Sequence, residues 1–346
     1  MKGSMRSGRK LFFCLAIFGG LHFVIAFAGF FSPYDPTTQN RDWPYAPPMR
    51  IHWFDAAGHF HLRPFFYPLR IQEGAFNEYQ QDTTHPIALS FFVSDARYRI
   101  LGILPLRIHL FGAGETPVFL LGSDSYGRDL FSRTLFGGQI SLLAGLLAAG
   151  LALSFGLLIG SLAAYLGGWG DEILMRLAEL FLALPWLYLL FAIRAFLPLA
   201  VSPVQAFLLI VILIGTVGWA RPARLIRSVV LSAKERDYVR AARGFGATGS
   251  YLLRRHILPE TWSVVLTQAA ILVPQYVLAE VTLSFLGLGV PEPVPSWGNL
   301  LSSLQQYSVL TSYWWMYLPS LAMVPFFVSY LILASALQER AEGSKI

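Results

Sequence analysis

Nine basic residues fall between Arg221 and Arg255, within the stretch RPARLIRSVVLSAKERDYVRAARGFGATGSYLLRRHILPETW (Arg221 to Trp262). Arg224, Arg227, Lys234, Arg236, Arg240, Arg243, Arg254 and Arg255 decorate it, and Ala241 with Ala242 opens a small flat face among them. Tyr238, Val239 and Phe245 add an apolar ridge. The chemistry of such a set is docking rather than bond-making. A short amphipathic helix fits a groove on a partner, or a basic collar meets anionic lipid headgroups; the residues alone allow both.

A second set of polar residues lies inside apolar sequence. Glu280 follows Gln268 and Gln275 in one long apolar run. An acid within a membrane span is costly and normally faces the bundle interior or a watery path. It is read either as a pore group that meets a positive substrate group, such as a peptide amino terminus, or as a structural hydrogen bond to a neighbouring helix. Arg194 is placed to snorkel to the interface. His52, His59 and His61 are close in sequence, but they lack cysteine or carboxylate ligands at matching spacing, and no metal site is assigned. There is no GxxxxGK[ST] phosphate loop, HExxH or paired-cysteine motif, and no local Ser/His/Asp pattern. No catalytic residue and no cofactor are therefore assigned to this chain.

The elements that carry these residues are set by lipid. The chain has 346 residues, 55% hydrophobic and 13% charged, with a mean hydropathy of +0.53. Soluble domains are usually about 25% charged. The net charge of +6 does not point to nucleic acid, because the positive charges sit beside apolar spans, as membrane orientation requires. The single Cys14 is a small residue in an apolar run and forms no internal disulfide.

Apolar runs long enough to cross a bilayer are expected at about 11–31, 138–166, 174–198, 205–220, 263–287 and 313–337. The first follows Lys2, Arg6, Arg9 and Lys10 and is read as a retained span, not a cleaved leader. With the N-terminus inside, the cytoplasmic parts are 1–10, 167–173, 221–262 and 338–346. All four lysines (Lys2, Lys10, Lys234, Lys345) fall there, and the segment Leu288 to Ser312 has no Lys or Arg. Residues 1–31 thus form a cytoplasmic end and first span, 32–137 an exported segment, 138–337 the core and 338–346 a cytoplasmic tail. Segment 32–137 is rich in prolines and aromatics, with strand-like runs from Ala88 to Val93 and Tyr98 to Phe111. Gly145, Gly156 and Gly160 let helices approach closely, whether for a pore or for ordinary bundle packing. Pro274, Pro319 and Pro325 are candidate kinks.

Within the basic loop, helical stretches are expected at Ala220 to Leu231, Ala233 to Arg243 and Ser250 to His256. Gly244, Gly246 and Gly249 break the helix, and Pro259 starts the next span.

The pattern DYVRAARGFGATGSYLLRRHILPE closely resembles the EAA loop of ABC importer permeases. Ala241 and Ala242 match its paired alanines, Gly246 its glycine, and Ile257, Leu258 and Pro259 its ending; Arg240 stands where the family carries glutamate. LGSDSYGRDLFSRTLFGGQISLLAG (Leu121 to Gly145), GGWGDEILMRLAELFLALP (Gly167 to Pro185) and AEVTLSFLGLGVPEPVPSWGNLL (Ala279 to Leu301) resemble the dipeptide/oligopeptide/nickel branch, most of all its C-type permeases. The resemblance implies an all-α, six-span type I importer permease with a small, partly β exported subdomain after the first helix. Its residues at about 238–249 would form a coupling helix on an ATPase.

Further expectations follow from that resemblance. The partners would be a second, B-type permease, one or two P-loop ATPases carrying ATP and magnesium, and an extracytoplasmic substrate-binding protein. The location would be a bacterial inner membrane, and the cargo di- or oligopeptides, with nickel or a peptide-like antibiotic as alternatives. A reversed charge at Arg240 implies an acid on the ATPase where relatives carry a base. From another class, a membrane-embedded enzyme or assembly factor with a lipid-binding loop remains open.

Overall fold

The computed structural model describes residues 2–55, 58–71, 78–100, 104–114, 116–198 and 200–343. Lys345, and residues 101–103 of the run expected to be strand-like, lie outside the described residues. The chain divides into two compact bodies, one of residues 1–18, 142–283 and 327–346, the other of residues 19–141 and 284–326.

Helices α1 (Lys2–Ala26) and α2 (Ala28–Phe31) open the chain. Among the described residues seven strands follow: β1 (His52–Phe54), β2 (Phe60–Phe66), β3 (Leu69–Ile71), β4 (Tyr79–Gln81), β5 (Ile87–Ala88), β6 (Ser90–Ile100) and β7 (Leu104–Gly112). They form three small antiparallel sheets, ordered β1-β2-β5, β3-β4 and β6-β7. The remaining helices are α3 (Leu130–Leu166), α4 (Gly168–Ala183), α5 (Trp186–Phe196), α6 (Pro203–Val217), α7 (Ala220–Lys234), α8 (Asp237–Gly244), α9 (Gly249–Leu252), α10 (Trp262–Phe285), α11 (Trp297–Ser302), α12 (Tyr307–Ser312) and α13 (Leu318–Gly343).

Three helical stretches among the described residues are long and apolar enough to cross a membrane: Leu130–Leu166, Gly249–Phe285 and Trp314–Glu339. Two bent pairs raise the number to five: α4 with α5, bent by 92°, and α6 with α7, bent by 44°. The expected straight span at 174–198 is therefore two helices. Leu184, which precedes Pro185, is held extended (ψ 139°) because the proline ring excludes the helical region before it. The expected end of a span at 220 is instead a bend after Gly218, with α7 continuing to Lys234. The span expected from 138 begins at Leu130.

In the first body, α3 packs through its glycines. A Cβ on Gly160 would lie 2.4 Å from the carbonyl oxygen of Ala223, and one on Gly156 2.6 Å from Pro222. Gly145 meets Val277 and Val273 in the same way. Close backbone approach of this kind replaces the hydrophobic drive that helices lack in lipid. Gly160→Ala is therefore expected to destabilise the chain by about 1–3 kcal/mol through overpacking. Gly150→Ala, with nothing within 4 Å, should be neutral or slightly stabilising. Thermal unfolding of the two variants in detergent separates them; equal midpoints would remove the α3–α7 contact from the argument.

Candidate functional site

The basic loop folds as a chain of short elements. The expected helix from Ala233 to Arg243 is interrupted at Glu235–Arg236, where Arg236 turns extended (ψ 142°) and α8 begins afresh. Glu260 fastens this corner: it pairs with Arg236 at 3.2 Å and accepts from the Tyr238 hydroxyl at 2.9 Å. Partial burial and Glu260 together push the Tyr238 phenol up.

The end of α8 is a Schellman turn. Ala247 N–H donates to Ala242 C=O at 3.1 Å, Gly246 N–H donates to Arg243 C=O at 3.0 Å, and Gly246 takes φ +85°. The left-handed conformation there favours glycine, and the accompanying apolar contact is present, because Ala242 and Ala247 both pack on the same core. Val239 is fully buried in that core with Ile226, Val230, Leu252 and Ile257. The expected three-residue ridge is corrected accordingly. Val239 anchors the helix from beneath, while Phe245, 92% exposed, and Tyr238 face outward beside Ala241.

Beyond the turn, Thr248 caps α9 by accepting from Tyr251 N–H. The expected helix from Ser250 to His256 is α9 followed by a π turn at Leu253–Ile257. A 3₁₀ turn at Leu258–Thr261 then carries Pro259 in its first turn and leads into α10. Of the motif's ending, Ile257 is buried and Pro259 exposed.

Arg240 does not stand as a free charge. It pairs with Glu235 in its own chain, and this partner holds the Glu235 carboxyl below its ordinary value. Sequence spacing gave no notice of the pair, since the two stand five positions apart across a helix break.

The polar residues of α10 part company. Glu280 is fully buried. Gln275 instead lines a cavity of about 620 Å³ together with Tyr276, Arg221, Arg224 and apolar groups including Trp186 and Leu225; neither Glu280 nor Gln268 is among its walls. Tyr276 donates its hydroxyl to Gly218 C=O at 3.1 Å, and a Cβ on Gly218 would collide with that oxygen. Arg194 is buried and does not snorkel. Its guanidinium donates to the carbonyls of Leu197 (3.3 Å) and Pro198 (3.1 Å), groups that the end of α5 leaves without helical partners.

In the second body, two of the quoted motifs close on one another. Asp124 accepts from Tyr126 and Arg128 N–H and from Arg128 Nε at 2.7 Å. Arg128 and Arg133 both reach Glu292, at 2.6 and 2.9 Å, and Arg133 Nε lies 3.6 Å from Asp124. Both arginines and Asp124 are buried. Trp297, fully buried, donates through Nε1 to Thr134 C=O, and Gly137 and Gly138 leave room for the Ser296–Trp297 segment. Asp129 caps α3 through Ser132, and burial lifts its carboxyl to about 6. Sequence reading quoted these motifs without assigning the four charges. The available signal was two arginines and two aspartates placed directly before an apolar span.

The three histidines go to other uses. His59 and His61 approach Asp55, and His52 stacks on Phe65. Among the described residues no group of three or more metal-ligating side chains gathers.

The chain resembles a putative peptide permease protein of Brucella ovis, 35% identical over 235 residues, which are 68% of this chain and 72% of that one. The oligopeptide transport system permease protein OppC of Bacillus subtilis is 38% identical over 194 residues, 56% of this chain and 61% of that one. The dipeptide permease DppC of the same organism is 32% identical over 219 residues, 63% and 66% of the two chains. A chain of the MetNI methionine ABC transporter aligns at TM-score 0.43 and 17% identity, covering 58% of this chain and 94% of that one. The family model for binding-protein-dependent transport system inner membrane components matches residues 156–343, which include the α8 turn and the α10 span; the chain belongs to that family.

Proposed function

We propose that this chain is the permease subunit of an ATP-driven importer of di- or oligopeptides, with ATP and magnesium handled by one or two separate P-loop ATPases. The observation that carries the reading is α8 with its Schellman turn. It is a short helix anchored by Val239 and closed at Gly246, and it presents Tyr238, Ala241 and Phe245 outward. A rigid, exposed helix on a membrane chain is suited to sit in a groove of a partner. The names of the related permeases support peptides as the cargo.

In this reading α1, α3, α4 with α5, α6, α10 and α13 are six spans. The β-bearing segment is exported, and both termini and the α7–α9 region are cytoplasmic in a bacterial inner membrane. A B-type permease completes the pore, and an extracytoplasmic binding protein delivers the substrate. The chain itself performs no catalysis.

Purification of the chain in mild detergent tests the reading. A second permease and at least one P-loop ATPase are expected to come with it. A chain that emerges alone, even after cross-linking through 238–249, overturns the proposal. Arg240→Glu sharpens the test. The Arg240–Glu235 pair is exposed and screened by solvent, and such pairs add little to folding, so the fold survives while the docking face gains negative charge. Capture of the ATPase at low salt should fall about tenfold if its facing surface is acidic; unchanged capture rejects the charge match.

A further inference from the structure

The cavity at the two helix breaks has an uneven chemistry. It opens where α4 gives way to α5 at Leu184–Pro185 and where α6 gives way to α7 at Gly218. The α4–α5 break lies within a span, where irregular backbone persists only if it is buried in protein or lines a watery cavity, while Arg221 and Arg224, at the start of α7, stand at the cytoplasmic end of the cavity. The volume, about 620 Å³, falls within the range of ligand pockets.

Its polar wall is cationic. Arg221 and Arg224 stand one helical turn apart on α7, and both line the cavity. Like charges at this spacing repel. The next arginine on the same helix, Arg227, is held by Asp171 through two hydrogen bonds. Among the described residues neither Arg221 nor Arg224 forms an ion pair, and Arg224 also borders a second cavity that holds Asp171, Glu172 and Glu179. No acid lies in the first turn of α7, and no carboxylate lines the cavity at the breaks. Gln275 supplies an amide able to donate to a carboxylate or a peptide carbonyl. The apolar walls, among them Phe181, Trp186 and Leu272, accept side chains without discriminating polar groups.

We propose that Arg221 and Arg224 receive the C-terminal carboxylate of the peptide in transit, so that the cavity is a carboxylate-reading station on the path. The inference rests on the peptide-import reading. A guanidinium binds a carboxylate through paired hydrogen bonds, and two of them side by side gain from an anion that neutralises their repulsion.

The test uses the whole transporter, with its binding protein and ATPases, in vesicles of phosphatidylcholine alone and of phosphatidylcholine with phosphatidylglycerol. Uptake of trialanine is compared with uptake of its C-terminal amide. Wild type is expected to carry the free acid about tenfold faster. The double variant Arg221→Gln/Arg224→Gln should carry both at the slow rate of the amide, with the complex intact by size exclusion. The double Lys variant should recover most of the preference.

A Gln variant that keeps the preference for the free acid overturns the proposal, as do equal wild-type rates for the two peptides. A defect confined to vesicles with phosphatidylglycerol also overturns it and assigns the arginines to lipid headgroups. A wild-type complex that carries neither peptide but carries another solute refutes the peptide reading itself, a result separate from any effect of the two arginines.

Discussion

Gly246→Pro is expected to abolish peptide uptake while the chain still reaches the membrane. Gly246 has φ +85° and donates its N–H to Arg243 C=O. Proline fixes φ near −65° and has no N–H, so it removes the bond and forbids the conformation together. The local cost is about 3 kcal/mol or more, enough to open the Schellman turn and release α8 from the position that Val239 and Ala247 give it. The spans lie elsewhere in sequence and are held by their own packing, so insertion persists.

Two controls isolate the turn. A Cβ on Gly246 would meet nothing within 4 Å, so Gly246→Ala adds only the strain of a left-handed residue, about 1–2 kcal/mol, and should leave partial uptake. Gly244, whose surroundings are also open, lies within α8, and Gly244→Ala should be silent. Uptake normalised to the amount of chain in the membrane reads all three. Wild-type uptake by the proline variant would sink the role given to α8.

Asp124→Ala is expected to be the most destabilising single change in the second body, at about 3–5 kcal/mol. The Asp124 carboxylate faces Arg128 and Arg133, and the side chains of all three are at most 8% exposed. Removing it strands two guanidiniums out of water with only the half-exposed Glu292 between them, and it also leaves the Tyr126 and Arg128 amides without their acceptor. Truncating one member of a buried charged set costs more than deleting a balanced pair. The double variant Asp124→Ala/Arg133→Met should therefore melt above Asp124→Ala alone, because Arg128 and Glu292 then balance. Asp124→Asn, which can still accept from the amides, should fall between. Thermal midpoints in detergent decide it; a single variant that melts with wild type, or below which the double falls, would show that the four charges are not an energetic unit.

Much of this was legible in the residues. Apolar length and the low share of charge set the chain in a membrane, because the demand for satisfied backbone groups in lipid leaves a sequence few options. The glycine at 246 announced a turn, and the turn is there with the expected positive φ. The strand-like character of Ala88 to Val93 and of Tyr98 to Phe111 is realised as the β6–β7 hairpin with the small strand β5. Each of these signals is local: it depends on a residue's own conformational limits or on neighbours within a few positions.

What the tertiary structure decided depends on packing between distant segments. Arg128 and Glu292, 164 positions apart, meet only because Trp297 and the glycines at 137 and 138 bring their segments together. Val239 turned inward, against its reading as surface ridge, because the neighbouring helices provide a core for it. Neither Pro185 nor Gly218 was among the expected kinks, and only the fold shows that the helices break there and that both breaks border one cavity, with Arg221, Arg224 and Gln275 on its wall. By itself the sequence determined lengths, turns and the solvent each segment requires, since these are properties of a residue and its near neighbours. Which charges are paired and which are left facing a cavity was decided by the fold, because pairing is a property of distances that no local pattern encodes.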